Sequence, residues 1–264
     1  MLDQIEKIVR EVAAEIVLPK FRALAAGEIE EKSPGEIVTV ADRLSEAALA
    51  ERLTALLPQA RVVGEEAAAA DPAILDRLAG DEPVWVIDPV DGTSNFAAGR
   101  EPFGIMVALV RAGRPVLGVI HEPVPDTMAL AEAGSGAYVD GVRARMDTSP
   151  VALGDLRGSV LTRFLPEGPR ERITAGLSRI AEALPGHHCA AREYPDVVRG
   201  VQHFSLFWRS FPWDHAAGAL IVREAGGVMR RFDGSDYVVG DDRTGLIAAR
   251  DENVFDLVKQ ALID

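Results

Sequence analysis

Apolar residues in the first 24 positions recur at helical spacing: Leu2, Ile5, Ile8, Val9, Val12, Ile16, Val17, Phe21 and Leu24. That period predicts one long amphipathic helix. Between Gly27 and Gly35 the pattern gives way to Glu28-Ile29-Glu30-Glu31-Lys32-Ser33-Pro34, the composition of a mobile charged loop. A second amphipathic helix follows Asp42 through Leu44, Ala48, Leu53 and Leu56 and stops before Pro58. Short apolar runs then predict strands over 61–64, 84–88, 103–110, 116–121 and 128–132, with hairpin connections at 111–115 and 139–142.

The character changes near Pro150. Beyond it the pattern predicts a strand over 159–164, a helix over 169–184, a helix broken by Pro195 and a strand over 203–208. A small-residue helix over 214–225, a strand at 246–249 and a closing helix over 252–262 complete the chain. Strands and helices interleave without strict βαβ alternation, so the prediction is a layered α+β protein of two halves, 1–149 and 150–264.

Composition narrows the function classes. The formal charge is −13, from 28 basic and 41 acidic residues, which argues against a nucleic-acid polymer as partner but leaves a small nucleotide open. A single cysteine, Cys189, allows no internal disulfide, and the first residues lack the basic start and apolar run of a secretory signal. No apolar run approaches the ~20 residues that span a bilayer. These features point to the cytoplasm and away from a membrane.

The chemistry concentrates in Trp85-Val86-Ile87-Asp88-Pro89-Val90-Asp91-Gly92-Thr93-Ser94-Asn95-Phe96. Two carboxylates stand where an apolar strand ends, Pro89 forces the chain out of the sheet, and Gly92 permits a tight turn into a helix. Asp88 and Asp91 can converge where the Gly92 and Thr93 amides also face. Hard cations such as Mg²⁺ take oxygen ligands and helix N-termini take phosphate, so the loop suits a metal-bound phosphate. Pro-Val-Asp-Gly is also an ordinary β-turn sequence. Two further acidic motifs weigh against that reading: Val62-Val63-Gly64-Glu65-Glu66, and Pro212-Trp213-Asp214-His215-Ala216-Ala217-Gly218 running on to Glu224-Ala225-Gly226-Gly227. With Asp214 in the second half, the site falls in the cleft between halves.

The order of these motifs, with the T-x-x-D element Thr39 to Asp42 upstream, resembles the inositol monophosphatase family of Mg²⁺-dependent, Li⁺-sensitive phosphatases. The resemblance covers most of the chain and implies a layered αβαβα sandwich and a homodimer. It implies that Glu65, Asp88 and the Val90 carbonyl hold one Mg²⁺, and that Asp88, Asp91 and Asp214 hold a second. A third, weaker ion near Glu65 is a family expectation. Glu65 and Thr93 would orient the attacking water, Asp42 would accept from the Thr93 hydroxyl, and the Gly92 and Thr93 amides would receive phosphate. Thr39 and Asp42 also fit a plain helix-entry signature, and Glu66 reads as a neighbour of the ligands.

The leaving-group side departs from the family. Where members usually have Gly-Ser-Ala-Ala lining the substrate, this chain has His188-Cys189-Ala190-Ala191, and Phe207 replaces the glutamate by which inositol-specific members contact substrate hydroxyls. An aromatic ring cannot accept from a polyol, and polar recognition lost in this way is costly. The reading is a phosphomonoesterase for a small phosphorylated metabolite. Histidinol phosphate, fructose 1,6-bisphosphate and 3′-phosphoadenosine nucleotides are the alternatives within that class. A metal-binding interaction protein without turnover is the alternative of another class. His187-His188-Cys189 reads as a rim loop, and His121, His203 and His215 read as structural.

Overall fold

The strand over Val84–Asp91 is buried on both faces, and the faces serve different cores. Trp85 and Ile87 pack with Ile5, Val9, Leu49 and Leu53, whereas Val84 and Val86 pack with Ala216, Leu220 and Ile221. A strand apolar on both sides must lie between two layers, and this alternation generates the architecture. The structure, a computed structural model, describes residues 1–33 and 35–264.

The chain begins with α1 (Leu2–Val12), continued by a π-helical stretch at Ala13–Val17 into α2 (Leu18–Lys20). An antiparallel hairpin, β1 (Ile29–Ser33) and β2 (Glu36–Thr39), leads into α3 (Val40–Leu56). Then come β3 (Arg61–Gly64), α4 (Glu65–Ala70), β4 (Val84–Asp91), α5 (Thr93–Ala97), β5 (Gly104–Arg111), β6 (Arg114–Glu122), β7 (Thr127–Glu132), β8 (Gly136–Val139) and β9 (Val142–Ala144). Strands β3 to β9 form a seven-stranded sheet in sequence order, parallel between β3 and β4 and antiparallel elsewhere.

The second half supplies β10 (Arg157–Val160), α6 (Glu167–Gly176), β11 (Glu182–Leu184), α7 (Ala190–Val198), β12 (Phe204–Phe207), α8 (Pro212–Glu224), β13 (Val228–Arg231), β14 (Leu246–Ala249) and α9 (Glu252–Val258). Its five-stranded sheet has the order β11-β10-β12-β14-β13. Alternation again assigns the layers. Leu246 and Ala248 face the core shared with α7 and α8, while Ile247 and Ala249 face Val254, Phe255 and Val258 of α9. The order of layers is therefore α1/α3, large sheet, α7/α8, small sheet, α6/α9, the αβαβα sandwich that the resemblance implied.

Three sequence-based expectations are corrected. The stretch 27–35 is not simply a charged loop, because it carries strand β1, which pairs with β2; Pro34 lies outside the described residues. Backbone pairing with a neighbour, rather than apolar content, makes that strand. The helix expected over 169–184 ends at Gly176, and Glu182–Leu184 is an edge strand. Ala261 O lies 2.1 Å from where a Cβ on Gly176 would stand, so that glycine marks a close approach of backbones. Pro195 does not break α7, whose residues from Tyr194 to Val198 are all buried. Packing there outweighs the hydrogen bond that a proline removes.

Candidate active site

Residues three apart on a regular strand point to opposite faces. On β4, however, Asp88 pairs with Met106 and Asp91 with Gly104, so one extra residue bulges between them. The bulge returns Asp91 to the side of Asp88, towards the layer of α7 and α8. Asp88 Oδ1 accepts from Val90 N at 3.2 Å, and Asp91 Oδ2 accepts from Ala191 N at 2.6 Å, tying β4 to α7. Gly92 turns the chain into α5 at φ +82°, and a Cβ there would lie 3.0 Å from Pro102 O and 3.2 Å from Cys189 Cβ. Only glycine satisfies both constraints.

Thr93 opens α5. Its hydroxyl lies 3.1 Å from Asp42 Oδ1 and 2.9 Å from Val90 O. Asp42 also completes the helix-entry signature, since its Oδ2 accepts from Thr39 N at 2.8 Å and from Thr39 Oγ1 at 2.6 Å. One oxygen of this aspartate thus serves the helix entry, and the other faces the Thr93 hydroxyl. Its side chain is fully buried, and burial pushes its pKa up to about 7 against the hydrogen bonds from Thr39.

Glu65 begins α4, whose first amides are capped from α3. Glu46 Oε2 accepts from Glu66 N at 2.7 Å and Oε1 from Ala67 N at 2.9 Å. The Glu46 carboxylate fills the space that a Cβ on Gly64 would need, with atoms 2.3–2.7 Å away. Sequence reasoning missed Glu46, although a lone acid at a buried helical position was the available signal. Lys32 reaches over from β1 to Glu65 at 3.0 Å and Glu66 at 2.6 Å. Burial works against the Lys32 charge, but Glu65 and Glu66 outweigh it and raise its pKa.

Asp214 enters from the first turn of α8. Burial raises the pKa of Asp88 first, and the charges of Glu65, Asp91, Asp214 and Asp42 raise it further. Burial followed by Asp91 and Glu65 raises Asp214. Burial also raises Glu65, opposed by Lys32, and pushes Asp91 up to about 7, opposed by the Ala191 amide. The structure thus brings Asp42, Glu65, Asp88, Asp91 and Asp214 into one field. Among the described residues, no three His, Cys, Asp or Glu side chains stand in a ready-made metal cage. The donors are hard oxygens with repelling charges and Lys32 as the nearby ammonium, which suits a hard divalent cation.

The acids sit at one side of a cleft of about 560 Å³, lined by Glu65, Asp91, Gly92, Thr93 and Asp214 together with Cys189, Ala190 and Phe207. Asp88 lies beneath, 1% exposed. Cys189 is buried against Asp91 O, with Sγ at 3.8 Å. The Phe207 ring borders the cleft but is packed between Tyr194, 5.3 Å away and stacked, and His215, 5.0 Å away and edge-on. Sequence reasoning also missed Glu193, fully buried on α7, which accepts from His187 N at 2.6 Å, Ser159 Oγ at 2.5 Å and Gln202 Nε2 at 2.9 Å. This network sets the loop that delivers Cys189 and Ala190.

The chain as a whole matches a known family. The model of the inositol monophosphatase family fits residues 1–262. The chain belongs to that family. A Thermotoga maritima fructose-1,6-bisphosphatase/inositol-1-monophosphatase is 33% identical over 217 residues, 78% of this chain and 76% of that protein. Inositol monophosphatase 1 of Solanum lycopersicum is 29% identical over 254 residues, 95% of this chain and 90% of that one. The solved Thermotoga maritima IMPase superposes with a TM-score of 0.81 at 28% identity, covering 99% of this chain and 96% of that one. Members of the family are phosphatases, generally metal-dependent, and act on small phosphorylated molecules. Among the described residues no helix is long and apolar enough to cross a membrane.

Proposed function

We propose that the protein is a Mg²⁺-dependent phosphomonoesterase of small metabolites. The observation that carries the reading is that Glu65, Asp91 and Asp214, from α4, β4 and α8, line one cleft with Asp88 buried directly beneath them. Glu65, Asp88 and the Val90 carbonyl would hold one Mg²⁺, and Asp88, Asp91 and Asp214 a second. Bound there, the ions supply positive charge to the phosphoryl oxygens and acidity to a nearby water. The Val90 carbonyl lies 2.9 Å from the Thr93 hydroxyl and, with two lone pairs, keeps at least one for a cation whichever of Val90 O and Asp42 takes the hydroxyl proton.

The residues of the chain supply the rest. The Gly92 and Thr93 amides open α5 toward the cleft and would receive phosphate oxygens. The Thr93 hydroxyl, placed between Asp42 and Val90 O, would orient the water with Glu65 for attack in line with the leaving oxygen. Asp42 acts through Thr93 and is a positioning residue. Residues 1–149 would supply the phosphate side, and 150–264 would supply Asp214 and the leaving-group wall.

Release of inorganic phosphate from a metabolite library, with Mg²⁺ and with a chelator, tests this reading. Mg²⁺-dependent turnover that is lost in Asp88→Asn is expected. No turnover of any ester would favour a binding protein, and equal turnover by the variant would refute the site.

A further inference from the structure

Beside Asp214 the wall of the cleft is a stack of flat groups. The Arg209 guanidinium carbon lies 3.7 Å from the Phe164 ring centroid and 5.6 Å from that of Phe211. Phe211 in turn stacks on Trp213, with centroids 5.2 Å apart and planes 13° from parallel. All four residues line the cleft. Phe164 and Phe211 are 37% and 40% exposed and are the exposed aromatic side chains among the described residues. Both open onto this one cleft, where apolar surface left in contact with water marks a binding face.

The wall is also held in place. His215 Nε2 donates to Arg209 O at 2.9 Å, while its Nδ1 accepts from Tyr194 OH at 2.5 Å, which fixes the turn carrying Arg209 and Phe211. Arg209 pairs with Glu36 of β2, and Arg163 donates to Gly35 O at 3.0 Å. Lys32 is likewise ion-paired with Glu65 and Glu66, so of the cations lining the cleft among the described residues Lys32 and Arg209 have carboxylate partners and Arg163 a backbone carbonyl. A polyol would find rings where it needs acceptors.

We propose that Phe164, Arg209 and Phe211, backed by Trp213, form a stacking subsite for the leaving group. The favoured substrate is then a phosphomonoester whose alcohol carries a flat heteroaromatic ring. The proposal deepens the phosphatase reading of the same cleft and rests on it for the position of the phosphate. Stacking of one base on an aromatic side chain is worth about five- to a hundred-fold in affinity.

The test separates the ring site from turnover. Binding of adenosine and of ribose to the full chain is measured by calorimetry for wild type, Phe164→Ala and Phe211→Ala, both at exposed positions. Adenosine is expected to bind at least about ten-fold more tightly than ribose, with that ratio falling about five-fold or more in each variant. Equal binding of the two probes, or a ratio kept by both variants, would overturn the subsite. In parallel, kcat/KM is compared for adenosine 3′-monophosphate and glycerol 2-phosphate. A ratio above about ten that falls in the variants supports the assignment, and a ratio near one overturns it. Adenosine preference with no phosphate released from either ester or from any ester of the metabolite library would leave the ring site standing and remove the phosphatase reading instead.

Discussion

Asp91→Asn stabilises the protein in a chelator and destabilises it relative to wild type in Mg²⁺. The Asp91 carboxyl is pushed from 3.8 up to about 7, chiefly by burial. A folded-state carboxyl that holds its proton more tightly than the unfolded chain contributes full stability below the unfolded value. That contribution is lost as the pH rises from 3.8 through about 7 and is then constant. At 1.36 kcal/mol for each pH unit between the two values, the loss is about 4 kcal/mol at pH 8 and roughly 1–2 kcal/mol at pH 5. Asparagine carries no charge, and its Oδ1 can still accept from Ala191 N, 2.6 Å from the present carboxylate. Taking half the charge term for a polar group that remains buried, the variant should be more stable by about 2 kcal/mol at pH 8 and by under about 1 kcal/mol at pH 5. At about 2–4 °C per kcal/mol, thermal melts at pH 8 should separate by about 4–8 °C. Histidine contributions cancel because each comparison is made at one pH. With Mg²⁺ at a hundred times its dissociation constant, wild type gains about 2.7 kcal/mol that the variant lacks, and the order reverses. A variant less stable than wild type in chelator at pH 8, or equal Mg²⁺ gains in both proteins, would refute the reasoning.

Three further substitutions probe the supports of the site. Thr93→Val removes the hydroxyl between Asp42 and Val90 O; phosphate release should fall about a hundred-fold or more, with Thr93→Ser within about ten-fold of wild type. Gly92→Ala forces a side chain into φ +82° and against Pro102 O at 3.0 Å; denaturant unfolding should show a loss of about 1–3 kcal/mol. Glu193→Ala leaves His187 N without its acceptor and removes the carboxylate shared by Ser159 and Gln202, which keep Ser205 Oγ and backbone as partners in a buried network. It should cost about 2–4 kcal/mol and, by loosening the loop before Cys189, lower kcat/KM.

The sequence made the phosphate side of the site legible and the leaving-group side much less so. Asp88 and Asp91 sit at a strand exit marked by proline and glycine, so local chemistry announces them. Phe164 and Phe211 stand beside other apolar residues, Leu165 and Pro212-Trp213, 47 positions apart by number (211 minus 164), and only the pairing of β10 with β12, which leads into α8, brings them together. Phe207 drew attention because it replaces a glutamate, yet its ring is largely spent on Tyr194 and His215. The long helices and most strands followed from period, because both faces of the large sheet are buried. β1 and β11 did not, since each is held by backbone pairing with one neighbour and carries no apolar signature. Helix α6 was overextended because its apolar spacing continues past Gly176, where close contact with Ala261 stops it.

The most direct test of the central claim is a crystal structure of the protein grown with Mn²⁺ and phosphate, with the ions located by anomalous scattering. Cations are expected at about 2.0–2.3 Å from oxygens of Glu65, Asp88, Asp91 and Asp214, with Asp88 shared and a phosphate oxygen on the Gly92 or Thr93 amide. Carboxylates that remain without any cation at millimolar Mn²⁺, with phosphate bound elsewhere, would contradict the account.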